Sequence, residues 1–258
     1  MKNIRLFFLL TLIMMHMSCV PDKVDIVAKQ DTIYQVSILD ALMTGIYDGE
    51  TTIKELKTHG DFGLGTFNAL DGEMIVLDRE VYQIAADGVT KKIEDSIKTP
   101  FAVLTFFIAD TVICIKDTVD KQQLETVIDH LLSSRNIPIA IKITGDFQVI
   151  RTRSVPRQSR PYPPLPDVLK NQPEFVLKNV TGTIAGFRLP VYMKNINAPN
   201  YHFHFITTDR SAGGHLLDFT ARNLTIEIDT KHHIAIQLPH DNDFRNMDFD
   251  KDAGVSHE

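Results

Sequence analysis

Hydrophobic and polar positions along this chain change their period several times, and each change marks an element. Residues 73–77 and 80–84 read as short strands with Asp78 and Arg79 between them as a turn, which predicts a hairpin. Upstream, residues 32–47 mix helical and strand spacing, and the glycines at 60, 63 and 65 predict a loop. Residues 101–115 are β-branched and aromatic with Ala109 and Asp110 in their middle, so one or two buried strands are expected there. Leu124, Val127, Ile128, Leu131 and Leu132 then recur at helical spacing and predict a helix over 119–132, with Asp117 or Thr118 as its cap.

Residues 137–143 alternate again, and five prolines crowd 153–166, a density that neither a helix nor a sheet interior tolerates. That stretch reads as a long ordered loop or a crossing between lobes. Past it the alternation predicts strands at 175–177, 182–187, 201–206, 215–220, 224–228 and 233–238. With no internal repeat, the expected class is α/β (α+β), built as two sheet-based lobes. The first, over 20–160, is expected to be a mixed sheet with helices, and the second, over 161–258, a mainly antiparallel sheet.

Composition adds that the chain can bury a sizeable core, since 43% of its 258 residues are hydrophobic. The net charge of -6, with no run of Lys and Arg, speaks against nucleic acid and for a small-molecule or protein partner, a homodimer among them. Residues 1–19 differ from everything after them. Lys2 and Arg5 precede an apolar stretch at 6–15 that is short for a membrane span, and Ser18 and Cys19 follow it. This predicts a cleaved signal of the bacterial lipoprotein type, although His16 stands where such signals usually carry Leu; a plain secretory signal is the alternative. The protein is then expected to be exported and lipid-anchored in the cell envelope, in the periplasm or at the outer membrane, touching membrane only through a lipid on Cys19. The other cysteine, Cys114, lies in an apolar run and is expected to be a buried strand residue without thiol chemistry.

Histidine supplies the candidate chemistry. In Tyr201–His202–Phe203–His204–Phe205 the alternate residues of a strand share a face, so His202 and His204 project together while Phe203 and Phe205 turn to the core. A hairpin through residues 207–214 would bring His215 beside them. Three neutral imidazoles suit Zn²⁺ and leave positions open to substrate, as in catalytic rather than structural zinc sites. An isolated pair of this spacing is more often a chance pair on a strand face; the third histidine is what favours a metal. His232 and His233 follow a turn and are expected to be solvated, and His59, His130 and His240 to be surface or loop residues.

Residues 201–219 resemble the zinc signature of the bacterial acetolactate decarboxylases. Two more segments are similar to that family's motifs: residues 63–73, ending at Glu73, and 151–158, carrying Arg151, Arg153 and Arg157, with Pro161 and Tyr162 close behind. They come in the family's order, and the resemblance runs from Thr32 to the C-terminus. It implies zinc held by His202, His204 and His215, Glu73 as an acidic active-site residue, and Arg153 as the active-site arginine. It also implies a glutamate near the C-terminus, for which Glu258 is the candidate, on a tail shorter than the family's. Without the resemblance, Glu73 and Arg153 would read as ordinary charges beside turns.

The implied reaction is loss of CO2 from 2-acetolactate (2-hydroxy-2-methyl-3-oxobutanoate) to give acetoin through a metal-stabilised enediolate, with Arg153 on the departing carboxylate and Glu73 and Glu258 relaying protons. The alternative from another class is a catalytically inactive zinc-binding surface lipoprotein with the same fold. A cupin-like oxygenase fits less well, because the only acidic residue close behind the histidine pair, Asp209, falls in the turn.

Overall fold

The computed structural model describes residues 29–249. The chain runs through β1 (Thr32–Val36), α1 (Leu39–Met43), β2 (Thr51–Thr52), α2 (Ile53–Leu56), β3 (Phe62–Thr66), β4 (Glu73–Leu77), β5 (Glu80–Ile84), β6 (Thr90–Lys92), β7 (Lys98–Thr99) and β8 (Ala102–Thr105). It continues through β9 (Thr111–Ile115), β10 (Val119–Asp120), α3 (Lys121–Leu131), β11 (Ile139–Arg153), α4 (Leu165–Leu169), β12 (Glu174–Leu189), β13 (Asn200–Thr207), β14 (Gly213–Thr230), β15 (His233–Gln237) and α5 (Asn242–Asn246). Residues 1–19, with Cys19, and Glu258 lie outside the described residues.

Two sheets hold nearly all of these strands, giving the α+β architecture expected. The first has seven strands in the order β15-β1-β8-β3-β4-β5-β6 and is mixed, because β15 runs parallel to β1 while the other pairings are antiparallel. The second is antiparallel throughout. Its centre is β11, flanked by β12 on one edge and β14 on the other. β13 pairs with β12 and also with the start of β14, which closes a circuit of four strands, and β9 and β10 add to β14. Sheet membership crosses residue 160 in both directions: β9, β10 and β11 belong to the second sheet, and β15 returns to the first.

The alternation of each strand decides which core it feeds. On β4, Ile75 and Leu77 enter a core between the sheets, together with Ile33 and Leu64 from the first and Ala185, Phe187 and Ile206 from the second. Met74 and Val76 fill the opposite face with Tyr34, Ile53 and Leu56, so β4 is buried on both sides and its sequence is an apolar run. Under the second sheet, Leu124 and Ile128 of α3 pack with Phe147, Phe203 and Phe205. Asp78 and Arg79 take positive φ, 53° and 66°, in the tight turn of the expected hairpin.

Several expectations change. The glycines at 63 and 65 lie in strand β3, not in a loop: a Cβ on Gly63 would stand 2.1 Å from the Val103 carbonyl oxygen and one on Gly65 2.5 Å from that of Phe101, so they serve close approach to β8. Residues 32–47 resolve into β1 and α1. The segments at 175–177 and 182–187 are parts of the single strand β12, and those at 215–220 and 224–228 are parts of β14. The helix cap is Asp120, not Asp117 or Thr118, since Val119 and Asp120 are first held as a strand against Ala221 and Thr220; Asp120 and Gln123 then form a capping box. Cys114 is exposed, because β9 pairs only with β14 and directs Ile113 and Ile115 inward, leaving the cysteine on the outer face. The proline-rich stretch is an ordered connection with a cis Arg160–Pro161 bond, leading into α4.

Candidate metal centre

The hairpin β13–β14 carries the three histidines, and its turn is fixed by side-chain chemistry. Asp209 Oδ1 accepts hydrogen bonds from Thr207 Oγ1 at 2.6 Å, from Ser211 N at 3.1 Å and from Ser211 Oγ at 2.8 Å. Those bonds hold its carboxyl below the usual range and occupy it in the turn, so it is no ligand. The turn sets the register in which His204 stands directly opposite His215. Next to it, Gly214 has φ 135°, and a Cβ there would lie 2.4 Å from the Arg153 carbonyl oxygen; only glycine lets β14 begin this close to β11.

His202 and His204 share a face of β13, as strand periodicity requires, while Phe203 and Phe205 on the other face are 2% and 0% exposed. The ligand nitrogens of His202, His204 and His215 all lie within 4.8 Å of one another. The ring centroids stand 5.3 Å apart for His202–His204 and His204–His215, and 5.0 Å for His202–His215. Among the described residues this is the one cluster spaced to hold a metal ion.

His204 has its orientation fixed from the first sheet. Its Nδ1 lies 2.6 Å from the carbonyl oxygen of Met74, which can only accept, so Nδ1 carries the proton and donates it. Nε2 is then a bare lone pair, buried and without a hydrogen-bond partner. Glu73 Oε2 lies 3.4 Å from it. A cation beside the lone pair would satisfy it, and three converging imidazoles provide the donors for one. Burial drives the titration the same way: it pushes His204 down to about 3 and holds His202 and His215 well below 6.5, with the charge of Arg153 adding to each. All three are therefore neutral, the form that binds metal.

Glu73 opens β4 and Arg153 ends β11, so the two sheets each contribute one half of an ion pair, Arg153 NH1 to Glu73 Oε1 at 2.7 Å. Burial raises the Glu73 carboxyl, and Arg153 only partly opposes that. The register places Arg153 beside His215 on β14. The structure thus brings together five of the six residues singled out in the sequence; the sixth, Glu258, lies outside the described residues.

These side chains line a cavity of about 290 Å³. The rest of its wall is mostly apolar, from Leu39, Leu42, Leu70, Phe101, Val155 and Leu165, with Thr66 and Tyr201 as further neighbours. Thr66 Oγ1 donates to the Gly72 carbonyl oxygen at 2.7 Å, just ahead of Glu73. Sequence reading missed this wall. Its residues come from two helices, two loops and a turn far apart in the chain, and no spacing rule joins them.

Comparison with known proteins was consistent across methods. A family model described as alpha-acetolactate decarboxylase matches residues 33–251. A relative of that name from Raoultella terrigena is 46% identical over 220 residues, covering 85% of this chain and 85% of the relative. One from Methanosarcina mazei is 44% identical over 218 residues, covering 84% and 76%. The crystal structure of alpha-acetolactate decarboxylase from Bacillus subtilis strain 168 is similar to the fold with a TM-score of 0.84 at 40% identity, covering 85% of this chain and 94% of that one.

Proposed function

Since this chain belongs to the alpha-acetolactate decarboxylase family, we propose that it is a zinc-dependent enzyme that converts 2-acetolactate to acetoin and CO2. It is a carboxy-lyase. The observation that carries the metal reading is the bare, buried Nε2 of His204 in a triad whose other members are held neutral. Imidazole donors suit several divalent ions, and zinc is the one that matches three nitrogens with open positions and no redox chemistry.

Held by His202, His204 and His215, zinc would supply a Lewis acid for the electron pair that loss of CO2 leaves on the substrate. The protein groups do the rest. Arg153 lines the cavity with one guanidinium nitrogen committed to Glu73, and its remaining donors match a carboxylate, so it grips the group that departs. Holding Arg153 also leaves Glu73 Oε1 occupied, which makes Oε2 the oxygen that exchanges a proton with the substrate. Glu258 is proposed as a second proton-handling carboxylate. The apolar wall accommodates the methyl groups and keeps water from the developing charge.

The test is acetoin formation from racemic acetolactate by the purified protein before chelation, after it, and after zinc is returned. Activity that vanishes with the metal and returns with one zinc per chain is expected. Full activity in metal-free protein would overturn the zinc dependence, and no acetoin from zinc-loaded protein would overturn the reaction. An inactive zinc-binding protein is not favoured, given the extent of similarity to named decarboxylases.

A further inference from the structure

Arg153 stands between two buried hydroxyls that the chemistry above leaves unused. Thr152 Oγ1 donates to the Gly213 carbonyl oxygen at 2.8 Å, Ser154 Oγ donates to the Ile84 carbonyl oxygen at 2.7 Å, and both residues are 0% exposed. The acceptors sit at informative places. Gly213 opens β14 just ahead of His215, and Ile84 is the strand partner of Glu73 on β5. Thr152 therefore ties the Arg153 backbone to the strand bearing His215, within the second sheet. Ser154 ties it across to the first sheet, beside the strand bearing Glu73.

Arg153 and Glu73 belong to different sheets, so their 2.7 Å contact depends on how the sheets are joined at this point. Arg153 is the last residue of β11, paired with Glu174 on β12 and, after a register shift between Arg151 and Thr152, with His215 on β14, but these ladders stay within the second sheet and do not join it to the first. The seam continues with Gly72 N donating to the Val155 carbonyl oxygen at 3.1 Å, directly ahead of Glu73. We infer that Thr152 and Ser154 are positioning residues for Arg153, two hydroxyls that stitch its backbone to both sheets and so set the guanidinium against Glu73 and toward the substrate carboxylate. This rests on the proposed reaction for its kinetic consequence, and on geometry alone for its structural one.

Thr152→Val removes one hydroxyl at nearly constant shape, Ser154→Ala removes the other, and Thr152→Ser keeps the hydroxyl. A displacement of about 1 Å at a positioning group can cost roughly 10²-fold, and a partial loosening is expected to lower kcat/KM about tenfold in Thr152→Val and in Ser154→Ala. KM rises in both, because Arg153 grips the substrate; a fraction of unfolded protein would lower kcat alone. Thr152→Ser restores kcat/KM to within about twofold of the unaltered chain. Solvent exchange of the Arg153 Nε–H, read by NMR on the zinc-loaded protein, is expected to be about tenfold faster in Ser154→Ala. Exchange and KM unchanged in both hydroxyl-deleted variants, or Thr152→Ser as impaired as Thr152→Val, would overturn the inference. Should the unaltered chain yield no acetoin, the reaction fails while the exchange measurement still decides the positioning role. If the valine variant does not fold, Ser154→Ala carries the test.

Discussion

Two histidine-rich stretches of this chain have opposite fates. His202, His204 and His215 converge on one cavity, His204 only 1% exposed and the other two half-buried, while His232 and His233 lie at the entry to β15 with 59% and 61% of their side chains in solvent. The surface pair even has a carboxylate at hand: His232 Nδ1 is 3.2 Å and His233 Nε2 3.9 Å from the two oxygens of Asp31. His232 stands just before β15 and His233 is its first residue, both rings largely in solvent, so water serves them as well as the protein does. Alternate residues share a face, and when that face is closed by a second sheet each ring nitrogen must find a protein partner or an ion. Enclosure and spacing, and not the number of histidines, separate a metal centre from a solvated cluster.

The contrast is broken most strongly by replacing histidines in each group. His204→Ala is expected to abolish stoichiometric zinc binding and to lower acetoin formation by roughly 10²–10³-fold or more. The double change His232→Ala, His233→Ala is expected to leave both within about twofold. Metal analysis beside the activity assay decides it, and equal zinc loss from the two variants would undo the distinction. Next in size, Glu73→Gln keeps the shape beside Arg153 but removes the proton-handling oxygen, so kcat/KM should fall about 10²-fold with zinc still bound. Unchanged turnover would remove Glu73 from the chemistry.

The smallest effect sharpens the comparison through pH. A histidine whose folded pKa lies far below 6.5 refuses a proton that the unfolded chain accepts, so the unfolded state gains as pH falls from about 6.5 toward the folded pKa, about 3 for His204. On account of His204 alone, metal-free protein should therefore lose about 1.4 kcal/mol per pH unit within that window, and regain it as pH rises. Urea unfolding at pH 7 and pH 5 measures the slope; a metal-free stability that is flat, or higher at pH 5, contradicts a buried neutral His204.

The histidine triad was legible in the sequence because strand alternation and a hairpin are local, and the structure bears out both the shared face and the facing of His204 and His215. Glu73 and Arg153 were legible only through resemblance, since a charge near a turn carries no sign of the partner it will meet from another sheet. The glycines of β3 misled for a related reason: they look like loop punctuation, but their role is to admit the backbone of β8. Cys114 misled because an apolar run does not reveal that its strand lies beyond the last covered face. Phe101, Leu165 and the other wall residues left no local signature at all; they meet only after the two sheets pack.

The pairing of β15 with β1 has a consequence for the order in which the fold can close. β8 takes one edge of β1, and the other edge stays open until residues 233–237 join it. The histidine hairpin, by contrast, needs nothing beyond residue 215 to set His204 against His215. The candidate triad can therefore form before the sheet that encloses it has its final strand.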